Sequence, residues 1–310
     1  MTIDIAVPTY NCALWIDVFV QSVLAQDEPN WRIITRDDGS NDDTAACISR
    51  WAEKLGERLL CLPNKTKENL GPVGNYNLIL AATTSPWIML ADPDDVWKPD
   101  KIQKSLEAMR QIETDAALPV IVFCDAVVID ASGHEISPSY WQWSRQNPRT
   151  HQRFSRVLCD SAALSSGMIV NRQALHIALP IAGSAGFQDW WLILVATAFG
   201  KVAIITEQLF YYRRHDHNDS ATPLTVTLAA GLRNLPKARE KLQRLLRGIA
   251  LQAEALDARF GSVLHVADRQ AARAAIRLPR AGAFKRRLLM LQHGLWFSSP
   301  LKNLAVFLWL

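Results

Sequence analysis

Four short apolar runs, each closed by polar residues and separated from the next by a stretch of helical period, restrict this chain to few architectures. The runs are Ile3 to Val7, Trp31 to Arg36, Trp87 to Leu90 and Val120 to Cys124. Between them, helices fit at Trp15 to Ala25, where Trp15, Val18, Phe19, Ser22 and Val23 share a face, at Asp43 to Lys54, and at Gly74 to Ala82. That alternation is the pattern of βαβ units around a mostly parallel sheet. The polar exits are Thr9-Tyr10-Asn11, then Asp37-Asp38-Gly39-Ser40, then Asp92 to Asp95, then Asp125. Ligands of open α/β sheets bind just beyond the carboxyl ends of the strands, so four such exits predict one shared site.

The third exit, ADPDDVW at 91–97, sets three carboxylates within four positions. Like charges at this spacing resist ionisation unless a cation or hydrogen-bond donors compensate them. Mg²⁺ or Mn²⁺, which takes oxygen ligands and leaves positions for water and phosphate, suits Asp92, Asp94 and Asp95. An ordinary polar turn with Asp94 or Asp95 as a helix cap is the competing reading of the same residues.

Composition narrows the class. At 310 residues, 49% hydrophobic and 21% charged, the chain is globular, with room for one large or two ordinary domains. Five scattered cysteines with no CxxC spacing suggest neither a disulfide framework nor a zinc site and fit a reducing cytoplasm. Nothing near Met1 has the basic and apolar regions of a signal peptide. Charge is uneven: residues 1–230 hold 19 Lys and Arg against 26 Asp and Glu, residues 231–310 hold 15 against 4. The basic last quarter points to an acidic surface such as anionic lipid. No recognisable module supports nucleic-acid binding, and no GxGxxG follows the first strand, which disfavours a dinucleotide dehydrogenase.

Further along, Trp141 to Arg156 reads as a loop able to order over a ligand. Leu164 to Val170 reads as a strand, Gly186 to Phe199 as a helix, and Val202 to Ile205 and Leu209 to Tyr212 as two short strands. The texture then turns to Ala, Leu and Arg at helical spacing, placing a boundary near residues 221–226. The expected organisation is an α/β unit over 1–225, divided near 125, followed by a basic helical extension over 226–310.

Five segments in order resemble the family 2 glycosyltransferases, which have the nucleotide-sugar-binding GT-A fold: AVPTYN at 6–11, RDDGSNDDT at 36–44, ADPDDVW at 91–97, QDWWLILVATAFGK at 188–201 and YYRRHDHN at 211–218. The resemblance spans about residues 3–219, and the Asp-Trp-Trp and Tyr-Arg-x-His forms are similar to a rhamnosyltransferase-like branch. It implies a dTDP- or UDP-linked sugar donor, a glycan or lipid-linked acceptor, a divalent metal and an inverting transfer in cell-surface polysaccharide synthesis. It implies that Pro8, Thr9 and Tyr10 pack around the base, that Asp38 accepts from the pyrimidine N3–H, and that Gly39 makes the tight turn. Asp92 would touch the ribose or the metal and Asp94 the metal, with Asp95 able to replace either. NLGPVGNYN at 69–77 is similar to a family segment that makes Asn75 a nucleotide-site candidate, although the usual basic residue there is missing. His215 would lie near metal or diphosphate, with His217 as alternative, and Arg213 and Arg214 could pair with phosphate. The resemblance makes 1–125 the nucleotide-binding half and 126–225 the acceptor half of a catalytic domain, with Asp125, Gly167, Trp190 and Asp95 as sugar or acceptor candidates; Asp125 and Gly167 could equally be structural. Asp189 would be the general base, desolvated by Trp190 and Trp191, or the cap of its helix, or both; the role of the preceding Gln188 stays open.

FKRRLLMLQHGLWF at 284–297 sets Phe284, Leu288, Leu291 and Leu295 on one face beside Lys285, Arg286 and Arg287, an interfacial-helix composition. The final ten residues are about half the roughly 20 needed to span a bilayer. Docking on the inner face of the cytoplasmic membrane competes with packing on the catalytic unit or on a partner chain. Two other functions stay in view: a nucleotidyltransferase, and a catalytically silent nucleotide-sugar-binding or membrane scaffold.

Overall fold

The structure, a computed structural model, describes residues 2–65, 68–215 and 235–309. The expected 221–226 boundary and His217 lie outside the described residues. The chain runs β1 (Ile3–Thr9), α1 (Ile16–Leu24), β2 (Trp31–Asp37), α2 (Thr44–Leu55), β3 (Leu59–Cys61), α3 (Gly71–Ala82), β4 (Trp87–Leu90), β5 (Val96–Trp97), α4 (Lys101–Ile112) and β6 (Val120–Ile129). It continues through β7 (Glu135–Ser137), α5 (Tyr140–Ser144), α6 (Phe154–Val157), β8 (Met168–Asn171), α7 (Arg172–Ala178), α8 (Gln188–Phe199) and β9 (Lys201–Arg213). Four helices follow, Leu235–Phe260, Val266–Arg277, Ala283–His293 and Pro300–Trp309.

The strands form one mixed sheet in the order β3-β2-β1-β4-β8-β6-β9-β5, with β7 on β6. The pairs β3–β2, β2–β1, β1–β4 and β6–β9 are parallel, while β8 runs against both β4 and β6. From β1 the chain winds outward through β2 and β3, then returns to β4 on the other side of β1. That reversal leaves a crevice at the carboxyl ends of β1 and β4, the general location of ligand sites in such sheets. The exits are held level, because Asp38 N–H donates to Thr9 O at 2.8 Å and Ala91 N–H to Ala6 O at 3.0 Å.

Two apolar layers cover the sheet. One is built on α1, α2 and α4: Ile16, Phe19, Val20 and Val23 of α1 are buried, each contributing on the order of 1.5–3 kcal/mol by leaving water. The other takes Tyr76 and Ile79 from α3 and Trp191 to Ala196 from α8 together with Leu242, Ile249, Leu289 and Trp309 from the C-terminal helices and Phe297 from the segment between the last two. The basic quarter is thus part of the sheet's own core.

Three expectations are corrected. Residues 141–156 are not a loop over a ligand but α5, a 3-10 turn at Pro148–Gln152, and α6, with Trp141, His151 and Phe154 buried. Ser139 caps α5, accepting from Gln142 N–H, and the Trp141 indole donates to Ala162 O at 2.9 Å. The two short strands after 201 are a single β9; the polar Thr206-Glu207-Gln208 that reads as a break is where its pairing with β6 shifts register around Asp125. The expected strand over 164–170 begins as a 3-10 turn, Ser165–Gly167, before β8.

His151 carries a testable pH signature. Its Nε2 accepts Ala162 N–H at 2.7 Å in a fully buried setting, and burial depresses its pKa to about 4. Below the unfolded value of 6.5 the unfolded chain binds a proton that the native imidazole refuses, so falling pH favours unfolding. The loss is expected to reach about 3 kcal/mol by pH 4. Urea denaturation across this range should show the decline, and His151→Gln should flatten it.

Candidate active site

A cavity of about 830 Å³ opens at the carboxyl ends of β1, β2 and β4. Pro8, Thr9 and Tyr10 leave β1 along one wall, with the Tyr10 ring half exposed. The Thr9 hydroxyl donates to Arg36 O at 3.1 Å, and Asn11, at φ 47°, accepts Asn41 N–H at 2.8 Å, stitching the β1 exit to the β2 exit. Gly39 sits at φ 83°, a left-handed conformation that a side chain would strain, so it makes the tight turn its position suggests.

Asp38 lines the cavity, but its carboxylate is already engaged. It pairs with Arg36 Nη1 at 2.5 Å and accepts Leu70 N–H at 3.0 Å and Gly71 N–H at 2.8 Å. The orphan amides and positive end of α3 favour a carboxylate there, while Pro72 in the first turn loses no helical bond. Asn75 also borders the cavity, yet its amide is spent on Arg36, accepting from Nη1 at 3.1 Å and donating to Arg36 O at 3.0 Å. Arg36 therefore organises this wall, a role its sequence setting did not single out.

Across the crevice, Asp92 accepts from the Tyr76 hydroxyl at 3.1 Å, and its own N–H donates to Ser166 Oγ at 2.8 Å. Burial, then the charges of Asp94 and Asp189, push its pKa up to about 7. Burial and Asp92 hold Tyr76 well above its ordinary value, so the phenol stays a donor. Asp94 and His215, on the same cavity, meet at 2.9 Å between Oδ2 and Nε2. The imidazole stacks on Trp15, centroids 5.7 Å apart and 17° between planes, while the Arg213 guanidinium lies 4.6 Å from the Trp15 ring. Among the described residues no three Asp, Glu, His or Cys side chains already form a metal cage.

Asp189 stands in the first turn of α8 and lines the same cavity, with Phe187, Gln188, Leu164 and Ser165. Its Oδ1 accepts Trp190 N–H at 2.6 Å, but the helix already begins at Gln188 with Phe187 in the N-cap position, so Asp189 lies within the first turn and is not the cap. Burial outweighs that bond and raises the Asp189 pKa to about 6. Gln188 donates through Nε2 to Ser165 Oγ at 2.8 Å. Cys12 also reaches the cavity, but burial pushes its pKa up to about 12 and keeps it a thiol.

Four sequence expectations do not reach the cavity. Asp95 is buried behind it, accepting Arg213 N–H at 3.0 Å through Oδ1 while Oδ2 has no hydrogen-bond partner; burial, then Asp94 and Asp92, raise its pKa. Asp125 is wholly internal, accepting from Ser139 Oγ at 2.5 Å, Gln208 Nε2 at 3.1 Å and Trp141 N–H at 3.2 Å, so it anchors α5 and touches no sugar. Gly167 is a packing glycine, since a Cβ there would lie 3.1 Å from Cys124 O and 3.3 Å from the Phe210 ring. Trp190 turns its indole to Val157 O at 2.5 Å and Trp191 to Ala178 O at 2.9 Å, so both fasten α8, and the apolar surface beside Asp189 comes from Phe187 and Leu164.

Comparison with known proteins gives the family and the fold. The family model described as Glycosyl transferase family 2 matches residues 4–176. The uncharacterised glycosyltransferase alr2836 of Nostoc sp. (strain PCC 7120) is 28% identical over 235 residues, covering 73% of this chain and 69% of that protein. TuaG of Bacillus subtilis, assigned by its name as a glycosyltransferase to teichuronic acid biosynthesis, is 34% identical over 109 residues, 35% of this chain and 42% of that one. Among solved structures, S. aureus TarS 1-349 in complex with UDP-GlcNAc aligns over 99% of this chain and 89% of that one, with a TM-score of 0.56 at 15% identity. The mannosyltransferase PcManGT from Pyrobaculum calidifontis, in complex with GDP-Man and Mn²⁺, aligns over 98% and 83%, with a TM-score of 0.52 at 17% identity. The structural likenesses carry the fold, which is of the GT-A type, and the family match covers more than half of the sequence: the chain belongs to glycosyltransferase family 2.

Proposed function

We propose that this glycosyltransferase moves a hexosyl unit, with inversion, from a pyrimidine nucleoside-diphosphate sugar to a hydroxyl of a glycan or lipid-linked acceptor during cell-surface polysaccharide synthesis. One observation carries the reading: a single cavity gathers the β1 and β2 exits, Asp92, Asp94, His215 and a desolvated Asp189. The Pro8–Tyr10 wall and Asp38 receive the base, and Asp92 faces the ribose. Asp189 takes the proton of the acceptor hydroxyl as its oxygen bonds to the anomeric carbon. The bond from that carbon to the diphosphate breaks on the opposite side, releasing the nucleoside diphosphate.

Asp94, Asp92 and His215 would hold the divalent ion. Two carboxylates and an imidazole suit Mn²⁺ or Mg²⁺, and all three side chains border the one cavity, where burial and then the charges of Asp94 and Asp189 disfavour an ionised Asp92 unless a cation is near. When bound, the ion would neutralise charge growing on the leaving diphosphate. PcManGT, which binds GDP-Man and Mn²⁺, supports metal use. TarS supports a UDP-linked donor, the name of TuaG supports a polysaccharide product, and rhamnose from a dTDP donor rests on the branch resemblance.

The test is incubation of the full chain with UDP-, dTDP- and GDP-linked sugars, with Mn²⁺ or Mg²⁺, following nucleoside diphosphate release. Turnover of one donor class well above the others is expected. Binding of a donor with no release in any condition would instead identify a silent nucleotide-sugar-binding protein, and pyrophosphate formation a nucleotidyltransferase.

A further inference from the structure

The C-terminal helices use one face in the core and leave another bare. Leu289 and Met290 of the helix Ala283–His293 are buried, whereas Phe284 is 81% exposed, Leu291 59% and Leu288 41%. In the helix Pro300–Trp309, Ala305, Val306 and Trp309 are buried while Leu304 and Leu308 are exposed. The two helices are joined beside these residues: Arg287 Nε donates to Phe307 O at 2.9 Å, and Trp296 stacks on Phe307 with centroids 5.3 Å apart. Positions 284, 288 and 291 fall on one helical stripe. Exposed apolar residues are ordinary when single, but such a group needs a partner.

Charge identifies that partner. No Asp or Glu follows Asp268 in this sequence, so the charged side chains that these two helices themselves carry are basic. Arg277, Arg280 and Lys285 are exposed. Arg286 and Arg287 are not available in the same way, since Arg286 is buried and donates to Leu278 O at 3.0 Å and Ala281 O at 2.6 Å. A second protein chain would bury apolar residues but would not call for cations alone. Exposed apolar side chains flanked by Arg277, Arg280 and Lys285 match the acyl–headgroup boundary of an anionic bilayer. No helix among the described residues is long and apolar enough to cross a membrane, so the contact lies along the surface.

We infer that Phe284, Leu288, Leu291, Leu304 and Leu308, with Arg280 and Lys285, form a docking surface for an anionic lipid bilayer. The surface is tied to the acceptor side of the cavity: Ser298 Oγ donates to Asp160 at 2.6 Å and Lys302 Nζ lies 3.7 Å from the same carboxylate, four residues before Leu164 and Ser165 enter the cavity wall. Docking would bring that wall to the membrane, which deepens the proposal of a lipid-linked acceptor while standing apart from the chemistry.

The experiment is flotation of the full chain with vesicles of phosphatidylcholine alone or mixed with phosphatidylglycerol, without donor or metal, so its result is independent of the transferase reading. Binding should require the anionic lipid and weaken with salt. Phe284→Ser/Leu288→Ser/Leu291→Ser should reduce binding at least ~10-fold, because apolar insertion is lost. Arg280→Glu/Lys285→Glu should do the same, because each cation near the surface contributes about a fivefold factor. All five substituted side chains are exposed, and an unchanged thermal transition would show that both variants fold. Equal binding by wild type and the folded triple variant would overturn the inference. So would a dimer of the wild type that dissociates in the triple variant, since the face would then belong to a second copy.

Discussion

Asp189→Asn is expected to lower kcat by 10²–10⁴-fold, the usual contribution of a positioned general base, while leaving donor affinity within about twofold. The amide keeps the shape and the contact with Trp190 N–H but cannot take a proton. Burial raises the carboxyl to about 6, so activity of the wild type should fall tenfold per pH unit below that value and level off above it. The sign follows from the role: a base works when ionised, and burial favours the protonated form. Because the native site holds this charge against desolvation, the amide should leave the melting temperature unchanged or higher. A variant that loses activity by unfolding would show the opposite. Retention of full turnover by Asp189→Asn would remove it as the base.

The second large effect concerns Asp94. Asp94→Asn, or a chelator added to the wild type, is expected to reduce turnover by at least ~10³-fold, since metal stabilisation of a leaving diphosphate is worth several kcal/mol. A readout without turnover separates a lost metal from a damaged fold. Mn²⁺ at about 100 times its Kd should stabilise the wild type by about 2.7 kcal/mol through mass action, and should barely move Asp94→Asn. His215→Ala should weaken that shift in part. Turnover undiminished by chelation would contradict the assignment of Asp92, Asp94 and His215 to a cation.

Much of the fold was readable because its signals are local. Apolar runs with polar exits fixed β1, β2 and β4 to within two residues, and the pairing of those strands brought their exits together. The place of Asp189 on the cavity was readable for the same reason, since it sits where an apolar helix begins. The misread residues depend on distant partners. Asp125 resembles a strand exit only if β6 stops at Cys124; the strand continues to Ile129, which places the carboxylate inside the sheet. Helix α8 is apolar nearly all round, so its periodicity could not say which way Trp190 and Trp191 point. Asp95 differs from Asp94 by one position, and only the approach of β9, 118 residues later, turns it inward. Arg36 and Tyr76 went unnoticed because one ends inside a strand and the other looks like core, while their polar atoms serve the cavity from behind.

The shared interior of the sheet and the C-terminal helices decides how this enzyme can be taken apart. Trp191, two residues from Asp189, belongs to the same packed body as Leu242 and Trp309. Shortening the polypeptide at either helical junction would therefore peel an inner wall from the reacting centre, not unclip an anchor. Exposed side chains, changed a few at a time, are the route by which address and chemistry can be separated here.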